Sequence, residues 1–223
     1  MSTLLQALAD ALAPIRCAGC SMPCDGSVCE PCVELCQLLP QPPSRPTAYG
    51  ACHAALPFEP PVRSMVHHAK YRGHRGAAAA LGALLIERLW VTLAVARPPA
   101  RGAAEPLVVP VPLGRRRARA RGYNQAALLA EALARQAGTR PAAGAVRLRE
   151  TAPQVGRHGE ERRGSLDGAF AWRGRDLRGR GVWLVDDVVT TGATLAAVAT
   201  ALQQGGAGRI DGVAAAMVTA PWG

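Results

Sequence analysis

The chain has 223 residues, of which 49% are apolar and 4% aromatic, and its formal net charge is +10 at pH 7. This length allows one α/β domain of ordinary size with a small appendage, and the apolar content predicts a core filled by Val, Leu and Ala. The positive charge is carried almost entirely by arginine amid heavy Ala, Gly and Pro usage, so it predicts salt-dependent affinity for polyanions without making nucleic-acid binding the function.

At the N-terminus, leucines recur at helical spacing, and Pro14 ends the predicted helix; the leucines are Leu4, Leu5, Leu8 and Leu12. This stretch lacks the basic start and the small-residue cleavage site of a signal peptide. No stretch of the sequence shows the length of a membrane span, so we expect no membrane insertion. These features predict a cytoplasmic protein.

Seven cysteines, an odd number, favour metal ligands and free thiols over disulfides. Four of them form two C-x-x-C pairs, Cys17 with Cys20 and Cys29 with Cys32. Thiolates at this spacing suit tetrahedral zinc, and the module is too small and too polar to fold without a crosslink. Cys24 is the first substitute ligand and Cys36 the second. A set of free or redox-active thiols is the alternative.

A proline-rich stretch at residues 40–46 predicts a stiff linker. It divides the chain into two units. Residues 1–46 hold the N-terminal helix, the zinc-ribbon-like module and the linker, and residues 47–223 form the main domain.

The main domain begins with a weak strand pattern and two helical patterns, at residues 48–58, 61–71 and 75–96. Cys52 and His53 precede His67 and His68 in this region, but surface or half-buried histidines explain them better than a second metal site does. Lys70 is the only lysine of the chain. It marks either a place that needs a compact ammonium group or a chance exception to arginine usage.

A second apolar strand pattern, LVVPV at residues 107–111, ends before a run of arginines that includes Arg115, Arg119 and Arg121. A clear helical pattern follows from Ala126. If this basic loop lies beside a phosphate site, its guanidinium groups could hold a pyrophosphate. A solvated arginine-rich loop is the alternative.

Residues 147–180 are loop-like and basic, which predicts a lid over a ligand or a strip for single-stranded nucleic acid.

A buried strand pattern follows at residues 182–185 and is closed by Asp186 and Asp187. Adjacent carboxylates repel each other and lose hydration unless they face solvent, a cation or ligand hydroxyls. We therefore expect the strand to end at Asp186, with both carboxylates exposed at the carboxyl edge of a parallel sheet, and a last strand at residues 209–219.

A small turn rich in hydroxyls follows the carboxylates and precedes an apolar helical pattern; it comprises Thr190, Thr191, Gly192, Ala193 and Thr194. Backbone N–H groups and hydroxyls at a helix N-terminus form a phosphate cradle. Beside carboxylates that can bind a ribose diol, such a cradle describes a site for ribose 5-phosphate. The lysine-bearing glycine loop of nucleoside triphosphatases is absent from the sequence.

Residues 182–194 resemble, without a gap, the phosphoribosyl pyrophosphate (PRPP) motif of type I phosphoribosyltransferases. An ordinary strand-turn-helix corner, in which the threonines only cap the helix, is the alternative. The resemblance narrows to the ComF family, phosphoribosyltransferase-like proteins of bacterial DNA uptake. The segments that carry it, in the family's order, are VPVPL at 109–113, RARGYNQ at 119–125, Gln154, ERR at 161–163, GAF at 168–170 and VDDVVTTGAT at 185–194. Ser165 departs from the asparagine that the family usually has there.

This resemblance implies an α/β fold: a type I phosphoribosyltransferase-like parallel sheet flanked by helices, with a small N-terminal zinc module of four cysteines. It implies PRPP or ribose 5-phosphate as the ligand, with Mg²⁺. Asp186 and Asp187, the implied catalytic residues, would bind the ribose hydroxyls or Mg²⁺-bound water, and the 190–194 turn would hold the 5-phosphate. The pyrophosphate would face Lys70, Arg115, Arg119, Arg121, Asn124 and Gln125.

The same resemblance implies a role in natural transformation, with single-stranded DNA and a helicase-like protein of DNA import as candidate partners. It leaves open whether a phosphoribosyl group is transferred, and to which acceptor. Two alternatives stand beside it. One is an active phosphoribosyltransferase of nucleobase salvage, and the other is a zinc-bearing single-stranded nucleic-acid-binding protein with a vestigial PRPP site.

Overall fold

A computed structural model describes residues 15–71, 73–96, 105–149 and 166–219. The predicted N-terminal helix with its leucines therefore lies outside the described residues. The same is true of Gln154, the ERR segment at 161–163 and Ser165, and of much of the predicted lid.

The described residues form helices and strands that we number in chain order. The helices are α1 (Glu30–Leu38), α2 (Val62–Tyr71), α3 (Arg75–Ala96), α4 (Arg115–Arg121), α5 (Gln125–Gln136) and α6 (Ala193–Gln204). The strands are β1 (Arg45–Thr47), β2 (Gly50–Pro57), β3 (Leu107–Pro110), β4 (Ala145–Arg147), β5 (Phe170–Trp172), β6 (Val182–Val189) and β7 (Ile210–Met217).

The main sheet has the strand order β1-β2-β7-β6-β3. The strands β2, β7, β6 and β3 are parallel to one another, and β1 pairs antiparallel with β2 at one edge. Because parallel strands end at the same edge, the residues that follow β2, β3 and β6 meet at one side of the molecule. Strands β4 and β5 form a separate antiparallel pair. The fold is thus an α/β parallel sheet flanked by helices, as predicted.

Two hydrophobic clusters cover the two faces of the sheet, and side chains that alternate along each strand divide between them. In β6, Trp183 and Val185 face the cluster that contains α2, α3 and α5, whereas Val182 and Leu184 face the cluster of α6. Leucine, valine and alanine dominate both clusters, as the scarcity of aromatic residues predicts. This alternation also decides which face each following residue of β6 meets.

Helix α3 has the length and composition of a membrane-spanning helix, with a mean hydropathy of 1.7 over its most apolar window. The expectation that no segment reaches that length is therefore wrong. In the structure, one side of α3 is packed: Leu81, Leu85 and Leu89 are almost fully buried in the cluster that includes α5 and the sheet. The packed side of α3 thus belongs to the hydrophobic core.

Three sequence-based boundaries differ from the structure. Strand β6 continues to Val189, so it does not end at Asp186. The predicted basic loop is the short helix α4. Strand β1 begins inside the predicted linker, at residues 45 and 46, and pairs with β2. In the first two cases the sequence contains charged residues that favour a loop, but backbone hydrogen bonds keep the segment regular. Strand β6 pairs with β7 as far as Val189, and in α4 the N–H of Gly122 donates to the carbonyl of Ala118.

Candidate functional site

The two adjacent carboxylates lie in the carboxyl-terminal half of β6 and point to opposite faces of the sheet. Asp187 follows Trp183 and Val185 on the side of α2, where its Oδ2 lies 3.0 Å from Nζ of Lys70. Asp187 is only 9% exposed, whereas Asp186 is partly exposed and lines a cavity on the side of α6. The expectation that both carboxylates are exposed at a strand end is therefore wrong for Asp187, because the strand continues past it.

Asp186 lies in an unfavourable electrostatic environment. Burial raises its pKa to about 7, repulsion by the Asp187 carboxylate adds to the rise, and the Lys70 ammonium opposes it. The N–H of Asp187 donates to Asp186 Oδ1 at 2.8 Å, and the N–H of Val188 donates to Asp187 Oδ1 at 2.8 Å. A carboxyl group that is ionised only with difficulty is a group that a bound cation would stabilise.

Removal of this charge is expected to stabilise the protein. The pKa of Asp186 lies near 3.8 in the unfolded chain and is raised to about 7 in the folded one, so between these pH values the folded state binds the extra proton. The contribution of Asp186 to the free energy of unfolding therefore falls as pH rises from about 3.8 to about 7. We expect Asp186→Asn to raise the free energy of unfolding by about 1 kcal/mol at pH 8 and by less at pH 5.

Urea denaturation of wild type and Asp186→Asn at the two pH values measures this difference. Because groups distant from Asp186 titrate alike in both proteins, the difference between them reports Asp186 together with its repulsion of Asp187. A gain that is equal at pH 5 and pH 8 would contradict the raised pKa.

The predicted phosphate turn lies where β6 ends and α6 begins. Gly192 has φ +75°, in the left-handed region that favours glycine, and this conformation turns the chain into the helix at Ala193. The N–H of Ala193 donates to Thr191 Oγ1 at 3.5 Å. A cavity of about 200 Å³ lies over the turn, lined by all five residues 190–194 together with Asp186 and Arg117.

A second cavity, of about 720 Å³, adjoins the first, since Arg117, Asp186, Val188, Thr190 and Thr194 line both. It extends between α2, α4 and the end of β6. Its polar lining includes Lys70, Arg121, Asn124, Gln125 and Asp187. The two cavities together bring carboxylates, a hydroxyl-rich turn and cationic side chains to one edge of the sheet.

The arginines of α4 divide between two sides of that helix. Arg117 and Arg121, one helical turn apart, both line the larger cavity. Arg115 lines a different cavity beside β4, and Arg119 is exposed. The residues predicted to face a pyrophosphate include Arg115 and Arg119 but not Arg117, because a loop gives no reason to choose among arginines. The i, i+4 spacing would have grouped Arg117 with Arg121 if the segment had been predicted as a helix.

The residues that follow Arg121 are engaged mainly with the protein itself. Asn124 caps α5, since its Oδ1 accepts from the N–H of Ala126 at 3.1 Å and its Nδ2 donates to the carbonyl of Val111 at 2.9 Å. Gln125 is buried, donates to the carbonyl of Ala69 at 2.9 Å and accepts from Arg121 at 3.0 Å. The hydroxyl of Tyr123 donates to the same Ala69 carbonyl. These contacts fix the end of α2, and with it Lys70, against α4 and α5.

We therefore expect Gln125→Leu to lower the free energy of unfolding by about 1–3 kcal/mol, because it removes the acceptor of Arg121 and a donor to Ala69 in a buried place. Gln136→Leu, at the exposed end of the same helix, is the matched control and should change stability by less than about 0.5 kcal/mol. Chemical denaturation of the two variants compares them. Equal losses would show that Gln125 has no special structural role.

The four predicted zinc ligands form a cluster. The Sγ atoms of Cys17, Cys20, Cys29 and Cys32 all lie within 4.8 Å of one another, so the group could bind a metal such as zinc. The two substitutes are engaged elsewhere: Cys24 Sγ donates to the carbonyl of Gly26 at 2.9 Å, and Cys36 Sγ lies 4.0 Å from Met65 Sδ in the core.

The backbone around the cluster favours a thiolate at Cys17. The N–H groups of Gly19 and Cys29 donate to Cys17 Sγ at 3.3 and 3.2 Å. Burial raises the pKa of Cys17, but these N–H groups and neighbouring donors lower it to about 6 overall. Burial instead raises the pKa of Cys36 to about 11, so Cys36 remains a protonated thiol. The donor set thus fits a thiophilic cation.

The residues considered for a second metal site divide between two elements, β2 and α2. Cys52 and His53 are buried in β2, where His53 Nδ1 shares a hydrogen bond of 2.7 Å with Ser44 Oγ. His67 and His68 lie on α2, with His67 exposed. Their ring centroids are 6.3 Å apart.

The fold and site together define an α/β protein with a parallel sheet, cavities lined by carboxylates and cationic side chains at its carboxyl edge, and an N-terminal module of four clustered cysteines. Comparison with known proteins identifies its family. It is 32% identical over 199 residues to DNA utilization protein YhgH of Salmonella typhi, covering 87% of this chain and 81% of that one. It is 34% identical over 155 residues to the protein of that name in Escherichia coli K12, covering 69% and 66%. The chain belongs to the ComF family.

Competence protein F of Haemophilus influenzae is 39% identical over 107 residues, which are 47% of each chain. Among solved structures, that of TT1426 from Thermus thermophilus covers 63% of this chain and 83% of its own, with 17% identity and a TM-score of 0.36. No protein-family profile matches the chain.

Proposed function

We propose that this protein is a soluble, cytoplasmic PRPP-binding protein that acts in DNA uptake. The observation that supports PRPP as the ligand is the pair of adjoining cavities at the carboxyl edge of the sheet. One lies over the 190–194 turn, and the other joins the two carboxylates to cationic side chains. A ligand with a phosphate at one end, a diol in the middle and a pyrophosphate at the other matches this distribution of charge.

Each part of PRPP has a partner of suitable chemistry in this proposal. The 5-phosphate lies on the turn at the start of α6, where backbone N–H groups and hydroxyls donate. The ribose hydroxyls donate to the carboxylate of Asp186 or Asp187. Lys70, Arg117 and Arg121 bind the pyrophosphate, because guanidinium and ammonium groups form charge-assisted hydrogen bonds with phosphate oxygens. Arg117 here takes the role predicted from the sequence for Arg115 and Arg119.

Mg²⁺ fits the same place. Asp186 and Asp187 offer the carboxylate oxygens that this hard cation prefers. Burial, together with repulsion by Asp187, raises the pKa of Asp186, so a bound cation would favour its ionised form. When bound, Mg²⁺ supplies neutralisation of the pyrophosphate charge. Lys70 balances Asp187, so the cation would relieve mainly the repulsion on Asp186.

The role in DNA uptake is supported by the names of the relatives, DNA utilization protein and Competence protein F. Single-stranded DNA and a helicase-like protein of DNA import are the partners we propose with it. The net charge of +10 supports contact with a polyanion.

Calorimetric titration of the purified, zinc-replete protein with PRPP, with and without Mg²⁺, tests the ligand, with ribose 5-phosphate as the control. We expect Mg²⁺-dependent binding of PRPP and weaker, Mg²⁺-independent binding of ribose 5-phosphate. Arg117→Met should weaken PRPP binding at least tenfold, because it removes a charge that faces both cavities.

Arg119→Met is the matched control, since Arg119 lies two residues away on the same short helix and is exposed. It should leave the affinity within about twofold. If the two arginine variants lose equal affinity, the pyrophosphate does not bind where we propose, and if PRPP does not bind the folded protein, the proposal fails.

A further inference from the structure

A third cavity, of about 470 Å³, lies along the exposed side of α2, between this helix and the cysteine module. Arg63, His67, His68 and Lys70 line it, and Ser21 of the module contributes to the opposite wall. Among the described residues that line it, none carries a carboxylate. The volume is within the range of small-molecule sites in proteins, and the lining favours an anion.

The cavity also has aromatic walls, in a chain where aromatic residues are only 4% of the total. Phe58 and Tyr71 both line it. Tyr71 is 68% exposed, which is unusual for a large aromatic side chain, and its ring lies 4.9 Å from the ring of His67. An exposed ring that forms part of a cavity wall offers a surface on which another planar ring can stack.

This cavity adjoins the site described above. Phe58, Lys70 and Tyr71 line both this cavity and the larger cavity of that site. The Arg121 guanidinium lies over the ring of Tyr71, 5.2 Å from its centroid. A molecule in the third cavity would therefore be separated from the carboxylates by little more than Lys70 and Tyr71.

We propose that this cavity binds a small planar aromatic acid, that is, a single ring bearing a carboxylate. Phe58 and Tyr71 supply the apolar surface for the ring, and the planar fork of Arg63 matches the two oxygens of a carboxylate. His67 and His68 add donors on the same helix side. That this cavity is the site of a second substrate beside PRPP rests on the proposed function. That it binds an aromatic acid does not.

The first experiment titrates the full, zinc-replete protein with benzoate, with its neutral isostere benzamide and with phenyl phosphate, by ligand-observed NMR. Each titration is repeated with saturating Mg²⁺ and PRPP. We expect benzoate to bind at least tenfold more tightly than benzamide, because only the acid pairs with Arg63. Phenyl phosphate distinguishes a site for carboxylates from a site for phosphates. Tighter binding of benzoate than of phenyl phosphate supports the proposal. Tighter binding of phenyl phosphate than of benzoate overturns it in favour of a phosphate ligand.

The second experiment compares Arg63→Met with Arg135→Met, since both arginines are exposed helix residues but Arg135 lies on α5 away from this cavity. We expect Arg63→Met to weaken benzoate binding at least tenfold and Arg135→Met to leave it unchanged. Tyr71→Ser should also weaken it, whereas both Arg63→Met and Arg135→Met should bind PRPP like the wild type.

Equal affinities for benzoate and benzamide, equal effects of the two arginine variants, or no binding of benzoate with or without Mg²⁺ and PRPP would each overturn the proposal. The two proposals fail independently. Benzoate binding that persists in a protein unable to bind PRPP leaves this site standing, and PRPP binding without benzoate binding leaves only the proposed function.

Discussion

Replacement of Cys17 and Cys20 by serine is expected to lose the metal and to lower the free energy of unfolding by several kcal/mol, or about 10 °C in melting temperature. Two of four thiolates are then missing from a cluster whose Sγ atoms lie within 4.8 Å of one another. The remaining pair cannot hold a tetrahedral ion firmly. Metal content by atomic emission and thermal unfolding by circular dichroism measure the two effects.

The loss of stability should extend from the cysteine module to the main domain, because the module is packed on that domain. Ala18 and Cys36 belong to the same hydrophobic cluster as α2 and α3. A side chain at Gly19 would bring its Cβ within 2.8 Å of Cys32 Sγ and 3.1 Å of Pro61 Cβ, so no space separates the module from the start of α2. The third cavity also loses a wall when the module unfolds.

Cys24→Ser is the matched control for this prediction, since Cys24 lies in the same module but outside the cluster. It should keep one metal ion per chain and a melting temperature close to that of the wild type. Stoichiometric metal in the Cys17→Ser/Cys20→Ser protein would show that the ligands are wrongly assigned.

The second large effect concerns the carboxylates of β6. The variant Asp186→Asn/Asp187→Asn is expected to abolish Mg²⁺-dependent PRPP binding, a loss of at least about 100-fold in affinity. Either single variant should weaken binding, because each removes an oxygen charge that can hold Mg²⁺ or accept from a ribose hydroxyl. Calorimetric titration with Mg²⁺ and PRPP measures all three proteins.

The single variants should differ in the sign of their effect on stability. Asp187→Asn removes the partner of the Lys70 ammonium, 3.0 Å away, and should lower the free energy of unfolding by about 1 kcal/mol. Asp186→Asn should raise it, as argued from the raised pKa. Glu131→Gln, an exposed change of the same kind on α5, is the control and should change neither stability nor affinity. An unchanged PRPP affinity in the double variant would remove the proposed site.

Much of the site could be predicted from sequence because its parts are local. The spacing of Cys17, Cys20, Cys29 and Cys32 brings the thiols together through short turns, and the structure confirms the cluster. The succession of buried strand, turn and helix at residues 182–204 is likewise encoded in neighbouring residues. Local patterns were less informative where charge suggested a loop, as in α4 and the end of β6.

The sequence by itself determined the α/β class, the four-cysteine cluster and the position of the hydroxyl-rich turn, since each depends on residues close together in the chain. Only the tertiary structure decided that Lys70 pairs with Asp187, that Arg117 rather than Arg119 faces the cavities, and that Gln125 holds α2 in place. These facts depend on which helix packs over which strand. Burial and pairing of a charged side chain are set by neighbours from distant parts of the chain, and no local pattern of residues contains that information.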